Sequence, residues 1–410
     1  MRSFVFISLF CFCSGLICGW APVFKGDFSS KVAVSRPKDE SYAGYCERGI
    51  EKLDRKEYKA AIEDFNKSIR LNPKHGRAYN NRANAKESLS ECQDAMADYS
   101  RAIELGYVTA FYNRAALRSK LGDRRGAISD LSASIAHKKS VLDSYACRGW
   151  EWECLNQRTL ANSDYAFVSR SAAVNSKEFG NRGWVKAHLG NFVGAISDYN
   201  NALKLKPRNP WVLSKRGLAK QSLGNDRGAV EDFEEAIRLD PTFAEGYYDL
   251  AYAKKRSGDF ASARQAFSSA IALKPKEADY YSGRGDVCLL MKDYASALSD
   301  YEKGLALNPK DSFILQGLAA TYEIQGKLSK ALGLYNSAIG IDSKRATLWS
   351  YRSQVKRRLT DDSGAISDLN RAILLDRKYA WAYLCRGVSR ENLSDLNGAM
   401  VDYNQSIQLN

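Results

Sequence analysis

Between residues 179 and 189 apolar and small side chains recur three and four places apart. A second run with the same spacing carries Phe192, Ala195, Tyr199 and Ala202 to Leu205. Gly190 separates the two runs and Pro207 follows the second. A helical period interrupted by glycine and closed by proline predicts a helix A, a tight turn and a helix B over 176–209. The pattern returns along the chain, and one alanine marks each return: Ala61, Ala95, Ala127, Ala161, Ala195, Ala229, Ala263, Ala297, Ala331, Ala365 and Ala399. Nine of the ten steps are 34 residues and one, Ala95 to Ala127, is 32. The eleven copies are 42–75, 76–107, 108–141, 142–175, 176–209, 210–243, 244–277, 278–311, 312–345, 346–379 and 380–410. A period of this length predicts stacked helix pairs without strands, a closed core or a second domain.

The small residue in helix B lets helix A approach, and the aromatic or leucine four places later fills the gap between units. Five of the eight prolines stand at one repeat-end position. Tyr45-Gly49-Ala61-Phe65-Ser68-Pro73 and Tyr281-Gly285-Ala297-Tyr301-Gly304-Pro309 show the full set. In these residues the chain resembles a tetratricopeptide repeat array over 42–410. Copy 142–175 departs most, with Ala173 at the proline position and Val168 at a small-residue position. The resemblance implies an all-α fold, a right-handed α-α superhelix of 22 helices. It also implies a non-catalytic scaffold whose concave groove, lined by positions 2, 5, 6, 9, 12 and 13 of helix A, binds an extended peptide or a partner protein.

Arginine fills position 7 in nine copies and aspartate position 23 in nine, among them Arg48 with Asp64, Arg182 with Asp198 and Arg284 with Asp300. Both are lost in the same two copies, which carry Leu250 with Ala266 and Leu318 with Leu334. Joint loss predicts an ion pair between the helices of one repeat, replaced as a unit by apolar contact. These arginines are therefore structural.

The groove positions are uneven. They supply amides at Asn80, Asn81, Asn84, Asn113 and Asn181, then rings at Tyr112, Trp150, Trp184, Trp211, Tyr248 and Tyr252. Acids follow at Glu245, Asp249, Asp279 and Asp286. An amide ladder offers donor and acceptor together to a peptide backbone, and rings beside it add contact at low entropic cost. The alternative is incidental surface, with Trp150 packed on Trp152 or a neighbouring helix. The set with which some relatives clamp a C-terminal carboxylate is absent: the closest frame holds Asn80, Asn84, Asn113, Asp143 and Cys147.

The net charge of +14 invites a nucleic-acid partner, but the groove positions hold three more acids than bases, so no phosphate-tracking surface is expected there. The positive excess falls on the turns and convex face. Three histidines, His75, His137 and His188, sit in different copies, and neither metal-ligand spacing nor a phosphate-cradling glycine loop occurs. No metal, no cofactor and no enzymatic activity are expected. Residues 1–24 join a basic start, Met1-Arg2-Ser3, to an uncharged apolar run, the layout of an export signal; a membrane anchor over 4–24 is the alternative. The protein is thus expected to be exported (periplasmic, secreted or lumenal) or membrane-tethered, with a polar linker over 25–41. Six scattered cysteines beyond the signal have no framework spacing and read as small core residues. In copy eleven Met400, Tyr403 and Ile407 form an apolar stripe. Either it packs wholly on its own helix A, or it stacks on a second molecule or a partner. A spacer or membrane-associated assembly factor, using the basic convex face and this open end, is the functional alternative.

Overall fold

The computed structural model describes residues 40–409. The export signal or anchor expected at 1–24 and nearly all of the linker expected at 25–41 lie outside the described residues. Among those residues the chain forms 22 helices and no strand, two helices to each copy. Copy five gives Ser176–His188 as helix A and Phe192–Leu205 as helix B. No described helix is long and apolar enough to cross a membrane. The described residues fall into two compact units, 40–225 and 226–409, divided at the turn inside copy six.

The turns depart from the glycine rule. Position 15 takes a left-handed backbone in all eleven copies, but only five of them place glycine there, as at Gly190 (φ +80°). The other six use Lys56, Ser90, Asn156, Lys292, Thr360 and Ser394, at φ between 59° and 66°. This conformation crowds a Cβ. It persists because the next amide closes back on helix A: Glu57 donates to the Lys52 carbonyl at 2.9 Å, and Asn191 to that of Lys186 at 2.8 Å. In six copies an Asp or Asn at position 16 also caps helix B with its side chain, as Asn191 does for the amide of Gly194 at 2.9 Å. Short copy two dispenses with proline and turns on left-handed Gly106 (φ +81°).

Stacking follows from residue size. The marker alanines are buried, and the ring at position 24 is gripped from two sides. A Cβ on Gly285, in Tyr301's own copy, would sit 3.0 Å from that ring; one on Gly317, in the next copy, would sit 2.5 Å from it. Leucine, tyrosine and phenylalanine fill this slot, and each copy leans on its successor through it.

Candidate functional site

The position-7 arginines hold the helices together. Arg182 donates through Nε and Nη2 to the two oxygens of Asp198, at 2.8 and 2.6 Å. Arg284 meets Asp300 in the same way at 2.8 and 2.7 Å, and Arg82, Arg114, Arg148, Arg352 and Arg386 repeat the fork within their own copies. Hydrogen bonding to the aspartate pushes the Arg182 and Arg284 pKa values up. Arg48 is looser: its Nη2 lies 3.6 Å from Asp64, whose other oxygen takes Lys52 at 2.8 Å. Arg216 and Asp232 belong to different units.

The remaining guanidinium nitrogen reaches one copy back, a link that the sequence reading missed. Arg82 Nη1 donates to Asn66 at 2.7 Å, Arg148 to Ser132 at 3.0 Å, Arg284 to Ser268 at 3.0 Å and Arg386 to Asn370 at 2.6 Å. All four acceptors occupy position 25 of the preceding helix B. The signal was present, because the copies before Leu250 and Leu318 carry Glu234 and Glu302 at that position. In copy four the position is Ala166, and Arg182 turns to the Ser171 carbonyl at 2.7 Å. At Arg82, Arg114, Arg148, Arg284, Arg352 and Arg386 one planar fork thus ties three helices.

The amides expected to greet a peptide are engaged with their neighbours. Asn80 donates to Asn81 at 3.2 Å and Asn113 donates to Asn80 at 2.9 Å, all three buried. Asn181 donates to Asp143 at 2.7 Å, and Lys177 holds the other oxygen of Asp143 at 3.0 Å. The Lys177 ammonium sits over the Tyr112 ring, whose hydroxyl is 3.6 Å from the Cys147 sulfur. Asn84 is half-buried and accepts from the Tyr99 hydroxyl at 2.5 Å. A ladder across copies two to five exists, and it links helix A to helix A.

The tryptophans also differ from expectation. Trp184 is 0% exposed, edge-on to Trp150 and Tyr165 and stacked on His188, with centroids 5.4–6.0 Å away. Trp150 shares this core and is buried as well. At position 9 the indole of copy five is covered by the helix A and the position-24 ring of the copy before it. Trp211 remains half-buried and packs against this core and against the next one, around Tyr199.

In unit 226–409 the picture changes. Tyr248 and Tyr252 are half-buried, 4.9 Å apart, with Tyr248 also 5.1 Å from Tyr280. Asp249 is buried. Asp286 accepts Lys255 at 2.7 Å and the Tyr301 hydroxyl at 2.8 Å, and Glu245 pairs with Lys274. Asp279 is half-buried with no hydrogen bond or ion pair among the described residues. Burial, with Asp311 and Glu277 adding to it, pushes its pKa up to about 6. No group of His, Cys, Asp and Glu among the described residues is arranged to hold a metal ion.

Comparison with known proteins agrees with this architecture. Tetratricopeptide repeat sequence families match at 46–106 and 248–312, at 186–224 and 222–258, and at 300–333. Human sperm-associated antigen 1 is 27% identical over 121 residues, 29% of this chain and 13% of that protein. Serine/threonine-protein phosphatase 5 of Rattus norvegicus is 36% identical over 92 residues, 22% of this chain and 18% of that protein. The chain thus spans less than a fifth of the length of these relatives. Among solved structures, a monomeric IFIT1 mutant with m7Gppp-AAAA superposes with a TM-score of 0.51 at 13% identity, covering 74% of this chain and 78% of that one, a likeness of fold alone. Tetratricopeptide repeat proteins generally bind protein partners. With helix pairs in all eleven copies and family matches spread over both units, the chain belongs to the tetratricopeptide repeat family.

Proposed function

We propose that this protein is a non-catalytic scaffold that holds an extended segment of a partner protein on the helix A face of copies seven to nine. The segment carries a lysine or arginine that enters beside Asp279. The observation carrying this reading is Asp279 itself, a half-buried carboxylate with no cation paired to it among the described residues, flanked by two further acids and close to tyrosine rings. An acid whose folded pKa is raised destabilises the fold at neutral pH, so folding does not account for its presence. A cationic side chain would neutralise it, while Tyr248 and Tyr252 supply apolar contact to the neighbouring residues of the segment. In copies two to five the amides are committed to one another, and that part of the helix A face serves as a rigid mount.

The test is a set of fluorescent extended peptides, differing only in Lys, Arg, Gln or Glu at one position, titrated against the full chain. Basic peptides should bind and neutral or acidic ones should not, and Asp279→Asn should weaken binding at least tenfold. Equal affinity of Asp279→Asn and the unsubstituted protein would sink the proposal.

A further inference from the structure

Position 11 of helix A is lysine or arginine in eight copies. In six of these the cation reaches the position-23 aspartate of its own copy, as Lys186 reaches Asp198 at 2.8 Å and Arg118 reaches Asp130 at 3.0 Å. Copy four puts Trp152 there, and Asp164 is left with the Arg148 fork. Cys288 and Tyr322 are the other exceptions. Cys288 is small and buried, and the Tyr322 ring is covered by the ammonium groups of Lys327 and Lys330, 5.6 and 5.4 Å from its centroid. Trp152 is half-buried. Among the described residues no other ring or cation lies over it, and its indole N–H makes no hydrogen bond.

Beside this indole lies an open pocket of about 460 Å³. Trp152, Leu155, Gln157 and Leu160 of copy four line one side, and Arg125 and Ile128 from helix B of copy three (Arg124–Ala136) line the other. None of the six stands at a groove position, so the pocket is separate from the surface around Asp279.

The polar groups here are unequal in sign. Arg125 and the side-chain amide of Gln157 make no ion pair or hydrogen bond among the described residues, and neither does Arg158, the exposed neighbour of Gln157. The nearby acids are engaged. Glu151 holds Arg124 at 3.1 Å, while Asp123 caps the Gly126 amide at 2.9 Å and lies 3.6 Å from Arg118. Arg125 and Arg158 also stand in the first turns of their helices, where a cation opposes the helix dipole. Local folding therefore accounts for neither of them, nor for an indole in place of a lysine that would meet Asp164.

We propose that this pocket is a second docking site, which takes an aromatic side chain and an adjacent carboxylate from an acidic segment of a partner protein. The ring packs on the Trp152 indole among Leu155, Leu160 and Ile128. The carboxylate takes the Arg125 guanidinium as a forked pair, with the Gln157 amide donating beside it. Charge selects this occupant, since the cations at the rim lack partners and the acids do not. The segment is opposite in sign to the one held at Asp279, so the two sites do not compete.

Short Gly-Ser peptides bearing a neutral fluorophore and carrying Phe-Glu, Phe-Gln or Ala-Glu are titrated against the full chain by fluorescence anisotropy. The Phe-Glu peptide should bind at least tenfold tighter than the other two. Trp152→Lys installs the residue that six other copies carry. It should abolish binding, with an unchanged circular dichroism spectrum reporting an intact fold. Arg125→Gln, a change at an exposed side chain, should remove the advantage of Phe-Glu over Phe-Gln. Asp279→Asn should leave Phe-Glu binding unchanged, which keeps a failure here distinct from a failure of the groove. Equal affinity of the three peptides, no binding at millimolar peptide, or a Trp152→Lys protein that binds as its parent does would each overturn the proposal. So would phenylacetate binding as tightly as the Phe-Glu peptide, which would mark the pocket as one for a small acid.

Discussion

Replacing Asp198 by asparagine keeps the shape of the side chain and removes its charge. In the folded protein that carboxylate is 2% exposed and takes Arg182 at 2.8 and 2.6 Å and Lys186 at 2.8 Å. The asparagine amide turns a donor toward one of these cations, leaving two charged groups with half a partner. Breaking a buried pair in this way costs about 3–5 kcal/mol. Arg182 and Lys186 are partly exposed and can swing toward water, so the lower end, about 3 kcal/mol, applies. An array of coupled repeats does not unfold as one two-state unit, so the assay is hydrogen exchange within copy five. Protection of its two helices should fall on the order of 100-fold, since about 1.4 kcal/mol is tenfold. The chain suggests its own repair: Leu318 and Leu334 hold these positions in copy nine and share one apolar cluster. Arg182→Leu with Asp198→Leu should therefore return protection to within about 1 kcal/mol of the parent. A loss below about threefold for Asp198→Asn, or a double substitution no better than the single one, would refute the reasoning.

Lys56→Gly should stabilise copy one by about 0.5–1 kcal/mol, because glycine relieves the left-handed strain by more than it adds to unfolded-chain entropy; a thermal midpoint that stays or falls contradicts this. Trp184→Ala removes a fully buried indole and should cost about 3–5 kcal/mol, against roughly 1 kcal/mol for half-buried Trp211→Ala; equal losses of amide protection would show that the indole cluster is not core. Asp279→Asn should stabilise the protein at pH 7 by up to about 3 kcal/mol and leave it unchanged near pH 4. The folded carboxyl holds its proton more tightly than the unfolded one, so the penalty is absent below the ordinary carboxylate range and complete once pH has risen through about 6. Denaturation midpoints at the two pH values check the sign, and a gain at pH 4 alone would reverse it.

The helices, their pairing into copies and the arginine–aspartate pairing were legible because each rests on spacing inside one repeat. The turn was only half legible. Position 15 is read as glycine from Gly190, but Lys56 and Thr360 take the same left-handed backbone because hydrogen bonds from the following amide hold it there. What the sequence reading missed or misplaced lies between copies. A residue at position 9 faces a groove or a core according to what the preceding copy puts beside it, so Trp184 read as surface and is buried against Tyr165. Asn80 and Asn113 read as ligands and are each other's partners, since they stand on neighbouring copies and the pattern of one copy does not show what faces it. Asp279 was legible as a groove acid, but its lack of a cation was not, because that depends on where Lys274 and Lys255 send their ammonium groups.

The arginine fork has a mechanical consequence. A junction in which one guanidinium grips its own aspartate and the previous copy's asparagine or serine resists shear, because any sliding of one repeat on the next lengthens a directed bond. The junctions into copies seven and nine lack it: Leu250 and Leu318 meet their neighbours through contacts that change little over a small displacement. Two ion pairs between longer and more exposed side chains cross the first, Lys254 with Glu234 at 3.1 Å and Arg256 with Asp226 at 3.3 Å. Elastic compliance within unit 226–409 is therefore concentrated at two points, one on each side of the pair formed by copies seven and eight. Asp279 belongs to that pair. Under load these two seams yield first, and the surface carrying the unpaired carboxylate moves between them as one stiff plate.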